Sequence, residues 1–432
     1  RTASRWPVVG GPRMASIDPR PLTPEETGSF PFDSRHGHVE GAGQIVPIWS
    51  ASRLKYWLSC PRKGWLTRGL HAKEEERQRE DLDARVQGNL LHKVHHQLIE
   101  QILGVEENRE RTLEQIENSN FPLNIANTNL NDTELQSIAL GILADLAPWL
   151  ERTDAVSNTR LRMLTGFTRN EWFEWLSEED STPLAGRIGR MITAERTLSG
   201  AIPIAIEWEA LSFDENGIEI SLPEELSSHG DQELPSIRLR GEIDRVDLLP
   251  FDSKMTIFEN ENGSNSVAPI RLDGEDWTPR RQIIIRDIKT SEREPRERHR
   301  LGLLEELQLA LYSRAWEIAH PGDLVIAAGI SVIGHNTDHF LEVSDLINEE
   351  SSELEIGDRS KQETSDMHRF PDEEPDQASD SFRAWLAQRL TTALATAAGA
   401  SSGRVHPTPG EDACKYCPVT SVCDVRHRGD DR

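Results

Sequence analysis

Apolar residues recur at helical spacing in several stretches. A helix opens near Ser50, a candidate N-cap, with Leu54, Trp57 and Leu58 on one face, and breaks at Cys60-Pro61. Leu91, Val94, Leu98 and Ile102 predict a helix over 85–103, and Leu135, Ile138, Leu143, Leu146 and Trp149 another over 132–150. Shorter helices follow from the patterns at 188–198, 303–319 and 382–398. Between them the period switches to two. Ile202, Ile204, Ile206 and Trp208 alternate with polar or small residues, and further strands are expected over 237–249, 283–290 and 324–333. Residues 104–131, 151–187, 214–235 and 259–280 are polar and read as insertions, irregular stretches or loops. Helices and strands alternating in this way predict an α/β fold.

The domain division follows the same pattern. Residues 1–45 form a Pro/Gly/Arg/Ser-rich tail, 46–200 a mainly helical part, 201–344 the strand-rich core, 345–380 an acidic flexible insertion, and 381–432 a last helix with three clustered cysteines.

Polar residues interrupt the apolar pattern at informative places. On the 85–103 helix, Gly88 and His92 lie one turn apart, beside the apolar stripe, where a glycine lets another backbone approach. His95 and His96 are expected at the periphery. Asp244 stands in mid-strand, where propensity disfavours it. Asp287 and Lys289 end the run Ile283-Ile284-Ile285 and share a strand face. Gln308 and Tyr312 are one turn apart on the following helix. Glu207 and Glu209 fit a place beside such a site or the polar positions of an alternating strand equally well.

Composition narrows the options. The 432 residues carry 74 acidic and 48 basic side chains, a net charge of −26. That excludes a generic nucleic-acid binder held by bulk charge and suits a salt-rich environment, leaving local basic clusters to decide the partner. One such cluster is Arg293, Arg296, Arg298 and Arg300, of which Arg296 and Arg298 are the candidate substrate contacts; pairing with the interspersed Glu292, Glu294 and Glu297 explains it as well. No apolar run approaches the ~20 residues that span a bilayer, and no signal-peptide pattern is present; a cytoplasmic location is expected. The start at Arg1 suggests a piece of a longer chain.

Taken in order, Gly88…His92, Gly241-Glu242-Ile243-Asp244-Arg245-Val246-Asp247, Asp287-Ile288-Lys289 and Gln308…Tyr312 resemble the motifs of the PD-(D/E)XK nuclease superfamily, in its RecB-like branch. The likeness covers roughly residues 48–425. It implies a restriction-endonuclease-like central mixed sheet flanked by helices. It also implies a Mg²⁺- or Mn²⁺-dependent deoxyribonuclease, of exonuclease type, acting in DNA repair or recombination. The resemblance makes His92, Asp244 and Asp287 the ligands, with the carbonyl of Ile288 added, and Lys289 the group that orients the attacking water. Gln308 and Tyr312 then contact DNA or hold Lys289.

The cysteines extend the resemblance. Cys414, Cys417 and Cys423 with Cys60 upstream, in the context Tyr56…Cys60-Pro61, are similar to the iron–sulfur nucleases, among them the AddB nuclease domain and the CRISPR-adaptation nucleases. This implies a [4Fe–4S] cluster on four thiolates; the spacing suits one tetrahedral zinc ion as well. No phosphate-binding G-x(4)-G-K-[ST] loop is present. By analogy with AddB, the chain is expected to act beside a helicase subunit or domain. A non-catalytic DNA-binding or scaffolding module with the same cluster is the competing reading.

Overall fold

The computed structural model describes residues 48–72, 82–106, 109–111, 121–151, 156–178, 186–196, 201–209, 217–222, 234–248, 281–290, 306–321, 323–333 and 381–408. It also describes shorter pieces that include 258–259, 265–266, 270–272, 275–277, 339–344 and the three C-terminal cysteines. Almost all of the expected 1–45 tail, the acidic insertion 345–380, and Arg296 and Arg298 lie outside the described residues.

In chain order the helices are α1 (Ala51–Ser59), α2 (Pro61–Gly64), α3 (Ala84–Leu103), α4 (Asp132–Leu146), α5 (Asn158–Thr165), α6 (Arg169–Glu178), α7 (Gly186–Arg196), α8 (Gln308–Ala319) and α9 (Ser381–Ser401). The strands are β1 (Ile202–Glu209), β2 (Ile218–Ile220), β3 (Ile237–Leu239), β4 (Glu242–Leu248), β5 (Phe258–Glu259), β6 (Asn265–Ser266), β7 (Ile270–Leu272), β8 (Glu275–Trp277), β9 (Arg281–Lys289), β10 (Asp323–Val332) and β11 (His339–Ser344). They fall into two compact units. One comprises Arg1–Arg77, Ala210–Gly241 and Leu386–Arg432, the other Gln78–Glu209 and Glu242–Trp385.

The first unit contains α1, α2, most of α9 and the antiparallel pair β2–β3. Ser50 caps α1 as expected, its hydroxyl accepting the Arg53 amide at 3.3 Å. Pro61 opens α2, where a missing N–H costs nothing. A π-helical turn, Trp65–Gly69, follows. Gly64 packs on Trp57 so closely that a methyl group there would lie 2.4 Å from the indole. Trp49 joins the edge of β3, donating to Arg238 O at 2.7 Å and accepting from the Arg240 amide at 2.8 Å.

The second unit is built on a mixed five-stranded sheet in the order β1-β4-β9-β10-β11. β9 pairs antiparallel with β4 and parallel with β10, so its isoleucines are covered from every side. Ile283, Ile284 and Ile285 are fully buried, as expected of a central strand between two layers. Helix α8 makes the crossover from β9 to β10 that a parallel pair requires. Helices α3, α4, α5 and α7 share one apolar core with Ile206, Ile288 and Ile333 of the sheet region. Helix α3 starts on Asp83, whose carboxylate accepts the Val86 amide at 2.9 Å, and stops at Gly104 with φ of 68°.

Several expectations change. The strand expected over 237–249 is two, β3 and β4, which break at Arg240-Gly241 and belong to different sheets. The stretch 151–187, expected to be irregular, holds α5 and α6; their buried Leu161, Leu164 and Trp172 are too few for a period to register. The loop expected over 259–280 contains the pairs β5–β6 and β7–β8, each strand only two or three residues long. His95, expected at the periphery, is buried at 2 % exposure and bonded to Glu195 at 2.8 Å.

Candidate active site

The isoleucine-rich β9 carries its charge into the interior. Asp287 is 2 % exposed. Its Oδ1 accepts from Lys289 Nζ at 2.7 Å and from Gln308 Nε2 at 2.9 Å. Two-residue spacing on a strand puts Asp287 and Lys289 on one face, and the first residue of α8 supplies the amide. That end of α8 is held by Glu306, whose carboxylate accepts the Gln308 and Leu309 amides at 2.8 and 3.3 Å. Tyr312, one turn on, is also buried. Burial, together with the nearby Asp244 and Asp287, pushes its phenol up, so it stays a neutral hydroxyl.

Paired residues continue from Arg245 opposite Arg286 to Leu248 opposite Ile283. One step further, where the register brings Asp244 level with Asp287, the carboxylate of Asp244 takes the place of a ladder partner. Its Oδ2 accepts the Ile288 amide at 2.6 Å. The same oxygen lies 3.4 Å from His92 Nε2, and His92 Nδ1 lies 3.1 Å from Glu207 Oε1. His92, Glu207 and Asp244 thus bring ligand atoms within 4.8 Å of one another. Gly88 is what lets α3 come this close: a methyl group there would meet Thr290 Oγ1 at 2.8 Å.

Glu207 is the residue that sequence reasoning left undecided. Its φ is +46°, in the left-handed region that a non-glycine residue rarely adopts. The consequence is visible on either side. Strict alternation puts Ile206 and Trp208 on one face, yet Ile206 packs into the α3 core whereas Trp208 meets Trp316 edge-on, ring centroids 5.0 Å apart. The irregular backbone aims Glu207 at His92, an example of strain held at a functional position. The signal in the sequence was an acid inside an apolar strand, but alternation explained that acid as solvent-facing.

Electrostatics follow from the crowding of acids. Burial opposes charge on His92, but hydrogen bonds to Asp244 and Glu207 and their negative charges outweigh it, and its pKa is pushed up to about 10. Burial likewise opposes ionisation of Asp244, and His92, Lys289 and the Ile288 amide overcome it and hold the carboxyl low. Glu207 is also lowered, burial again being outweighed by His92. Glu242 goes the other way, up to about 7, through burial and its hydrogen bond to Glu207. The cluster is an acid-rich pocket with one imidazolium between two carboxylates and one ammonium beside a third.

The structure therefore brings together His92 and Asp244 on one side, and Asp287, Lys289 and Gln308 on the other, joined through the Ile288 amide. Gln308 reaches Asp287, the same carboxylate that holds Lys289. The cysteines belong to the first unit. All four are half-buried. The Thr408 amide donates to Cys60 Sγ at 3.4 Å, which brings the first cysteine beside the segment leading to the others. Cys417 N–H reaches Cys414 O at 3.2 Å, and Cys423 N–H reaches Val419 O at 2.9 Å.

The family description that matches this chain is the PD-(D/E)XK nuclease superfamily, over residues 48–264 and 271–424. The chain belongs to that superfamily. The mixed sheet flanked by helices agrees with the PD-(D/E)XK fold. The matched residues include all four cysteines. No curated protein matches the sequence. No described helix is long and apolar enough to cross a membrane.

Proposed function

We propose that this superfamily member is a Mg²⁺- or Mn²⁺-dependent deoxyribonuclease of the RecB/AddB-like branch. In this reading it works in the cytoplasm on DNA ends, in repair or recombination, beside a helicase subunit or domain. The observation that carries the reading is the convergence of His92, Glu207 and Asp244 next to the Asp287–Lys289 pair. The donor set fits the ion: carboxylate oxygens suit either metal and an imidazole nitrogen favours Mn²⁺. His92, Asp244, Asp287 and Glu207 would hold it. When bound, such a cation polarises a phosphoryl oxygen and acidifies water.

The chain's own groups have separable tasks. Lys289, held by Asp287 at 2.7 Å, would turn its ammonium to the scissile phosphate and stabilise the charge that develops there. Gln308 fixes Asp287 from α8, and neutral Tyr312 offers a hydroxyl without adding charge. Arg296 and Arg298 are proposed to contact the substrate backbone. The test is cleavage of end-labelled linear and closed circular DNA with Mg²⁺, Mn²⁺ or EDTA. Metal-dependent loss of linear DNA alone supports an exonuclease. Intact DNA under every condition removes the reading.

Ligation requires neutral imidazole, whereas His92 is an imidazolium up to about pH 10. Metal uptake at pH 8, where Glu242 is already mostly ionised, should release about one proton per ion. Apparent affinity should then rise about tenfold per pH unit below pH 10. Calorimetric titrations in buffers of different ionisation enthalpy measure this. Buffer-independent heats would mean that His92 does not ligate.

Cys60, Cys414, Cys417 and Cys423 are proposed to hold a [4Fe–4S] cluster in the first unit, a donor set of soft thiolates. The Cys60–Thr408 contact supports it. Closing so long a loop stabilises by about 4 kcal/mol or more, by analogy with disulfides. Cys60→Ser should lose the brown colour and iron and melt well below wild type. A colourless protein holding zinc would assign the site to zinc instead.

A further inference from the structure

The chain as a whole carries a charge of −26, yet no Asp or Glu occurs between residues 41 and 73. Over 48–72 the cations are Arg53, Lys55, Arg62, Lys63 and Arg68. These residues make up α1, α2 and the π-helical turn. Lys63 Nζ lies 4.7 Å and Arg68 Cζ 4.5 Å from the centroid of the Tyr56 ring. In an α-helix the neighbours are three and four residues apart, so residues five apart diverge around the axis. The π-helical winding changes that. Leu70 N–H reaches Trp65 O, and Ala72 N–H reaches Leu66 O, both at 2.8 Å. The wider turn brings Lys63 and Arg68, five apart, over one ring. Short π segments are rare and concentrate at functional positions.

Among the described residues neither Lys63 nor Arg68 has a carboxylate within ion-pair distance, and Arg68 Nε is buried with no acceptor. The ring face holds the charges by cation–π attraction without neutralising them, and no described carboxylate competes with an anion for either head.

We propose that α1, α2 and the π-helical turn form a phosphate-tracking surface for the nucleic-acid strand, with Lys63 and Arg68 as its principal contacts and Tyr56 as the residue that positions them. The proposal rests on the nucleic-acid reading above and adds to it a second binding element, outside the metal-ligand cluster. Contacts of this kind are independent of base sequence and sensitive to salt.

The experiment is fluorescence anisotropy of a labelled single-stranded oligonucleotide in EDTA, with the full chain, over a series of salt concentrations. Lys63→Gln/Arg68→Gln should bind about ten- to a hundredfold more weakly, and the slope of log K against log salt should be shallower by about 0.7 per cation removed. Lys63→Arg/Arg68→Lys, which keeps both charges, should restore the slope. Tyr56→Phe should bind like wild type, and Tyr56→Leu should lose affinity. In cleavage assays the neutral pair should raise KM and leave kcat unchanged. A neutral pair with the wild-type slope overturns the proposal, whether or not affinity falls. The two readings fail separately. Wild type that cuts DNA while the neutral pair binds normally sinks the tracking surface alone. Wild type that binds with the expected slope but never cuts sinks the nuclease alone.

Discussion

Asp287→Ala should abolish metal-dependent cleavage, by on the order of 10³-fold or more, while leaving the fold about as stable as wild type. The two halves of this expectation have different causes. Asp287 is a buried acid of the site, and its loss removes a proposed oxygen ligand and the anchor of Lys289 together. For stability, the substitution removes one negative charge from an acid-rich site that also holds Asp244, Glu207 and Glu242. Against that gain, Lys289 and Gln308 lose an acceptor. Lys289 is 25 % exposed and can be solvated, so the penalty stays at the low end of the usual ~1–3 kcal/mol for an unmet buried partner. Thermal melting separates the effects. A divalent ion at a hundredfold excess over its Kd should stabilise wild type by about 2.7 kcal/mol and Asp287→Ala hardly at all. Lys289→Ala should keep the ion-induced stabilisation and still lose about 10²- to 10⁴-fold in rate. Cleavage surviving Asp287→Ala would remove Asp287 from the chemistry.

The parts of this site that were legible in the sequence are those where chemistry breaks a period. An acid and a lysine at the end of an isoleucine run, an aspartate in mid-strand, and a glycine one turn ahead of a histidine each contradict what local packing asks for. Glu207 was not legible in the same way, because alternation already explained it; only the left-handed backbone at that residue turns it toward His92. The break between β3 and β4 was missed for a related reason. The apolar pattern runs on through Arg240-Gly241, and which sheet each half joins is decided by tertiary pairing. His95 looked peripheral because a lone polar residue on a helix is usually solvated. Its burial depends on Glu195, a hundred residues away, and no local pattern encodes that.

Glu195→Ala should cost about 3–5 kcal/mol, the usual penalty for removing one member of a buried ion network. Glu195 on α7 accepts two hydrogen bonds from Arg245 Nη1, at 2.7 and 2.6 Å, and contacts His95 of α3 at 2.8 Å. Arg245 Nε donates to Asp247 Oδ1 at 2.7 Å, and Arg286 Nε donates to the other oxygen of Asp247. All five side chains are at most 3 % exposed. Two guanidinium groups face two carboxylates, so the loss of Glu195 leaves a buried positive charge without its counter-ion. Strand alternation puts this network on the sheet face away from Asp244 and Asp287, the immediate chain neighbours of Arg245 and Arg286. The network therefore also fixes how β4 and β9 present their acids. The pH dependence has a definite sign. Burial opposes ionisation of Glu195, but Arg245 and His95 outweigh it and hold the carboxyl well below its usual range. A depressed carboxylate contributes its full stability above the unfolded pKa, about 4.3, and loses it as pH falls from there toward the folded value. Urea unfolding at pH 7 and at stepped values below 4.5 should show wild type losing stability steeply, and Glu195→Gln, which keeps the shape without the charge, starting lower and falling less. Equal slopes for the two proteins would mean that Glu195 is not ionised in the folded state, and the network would then be held by neutral hydrogen bonds alone.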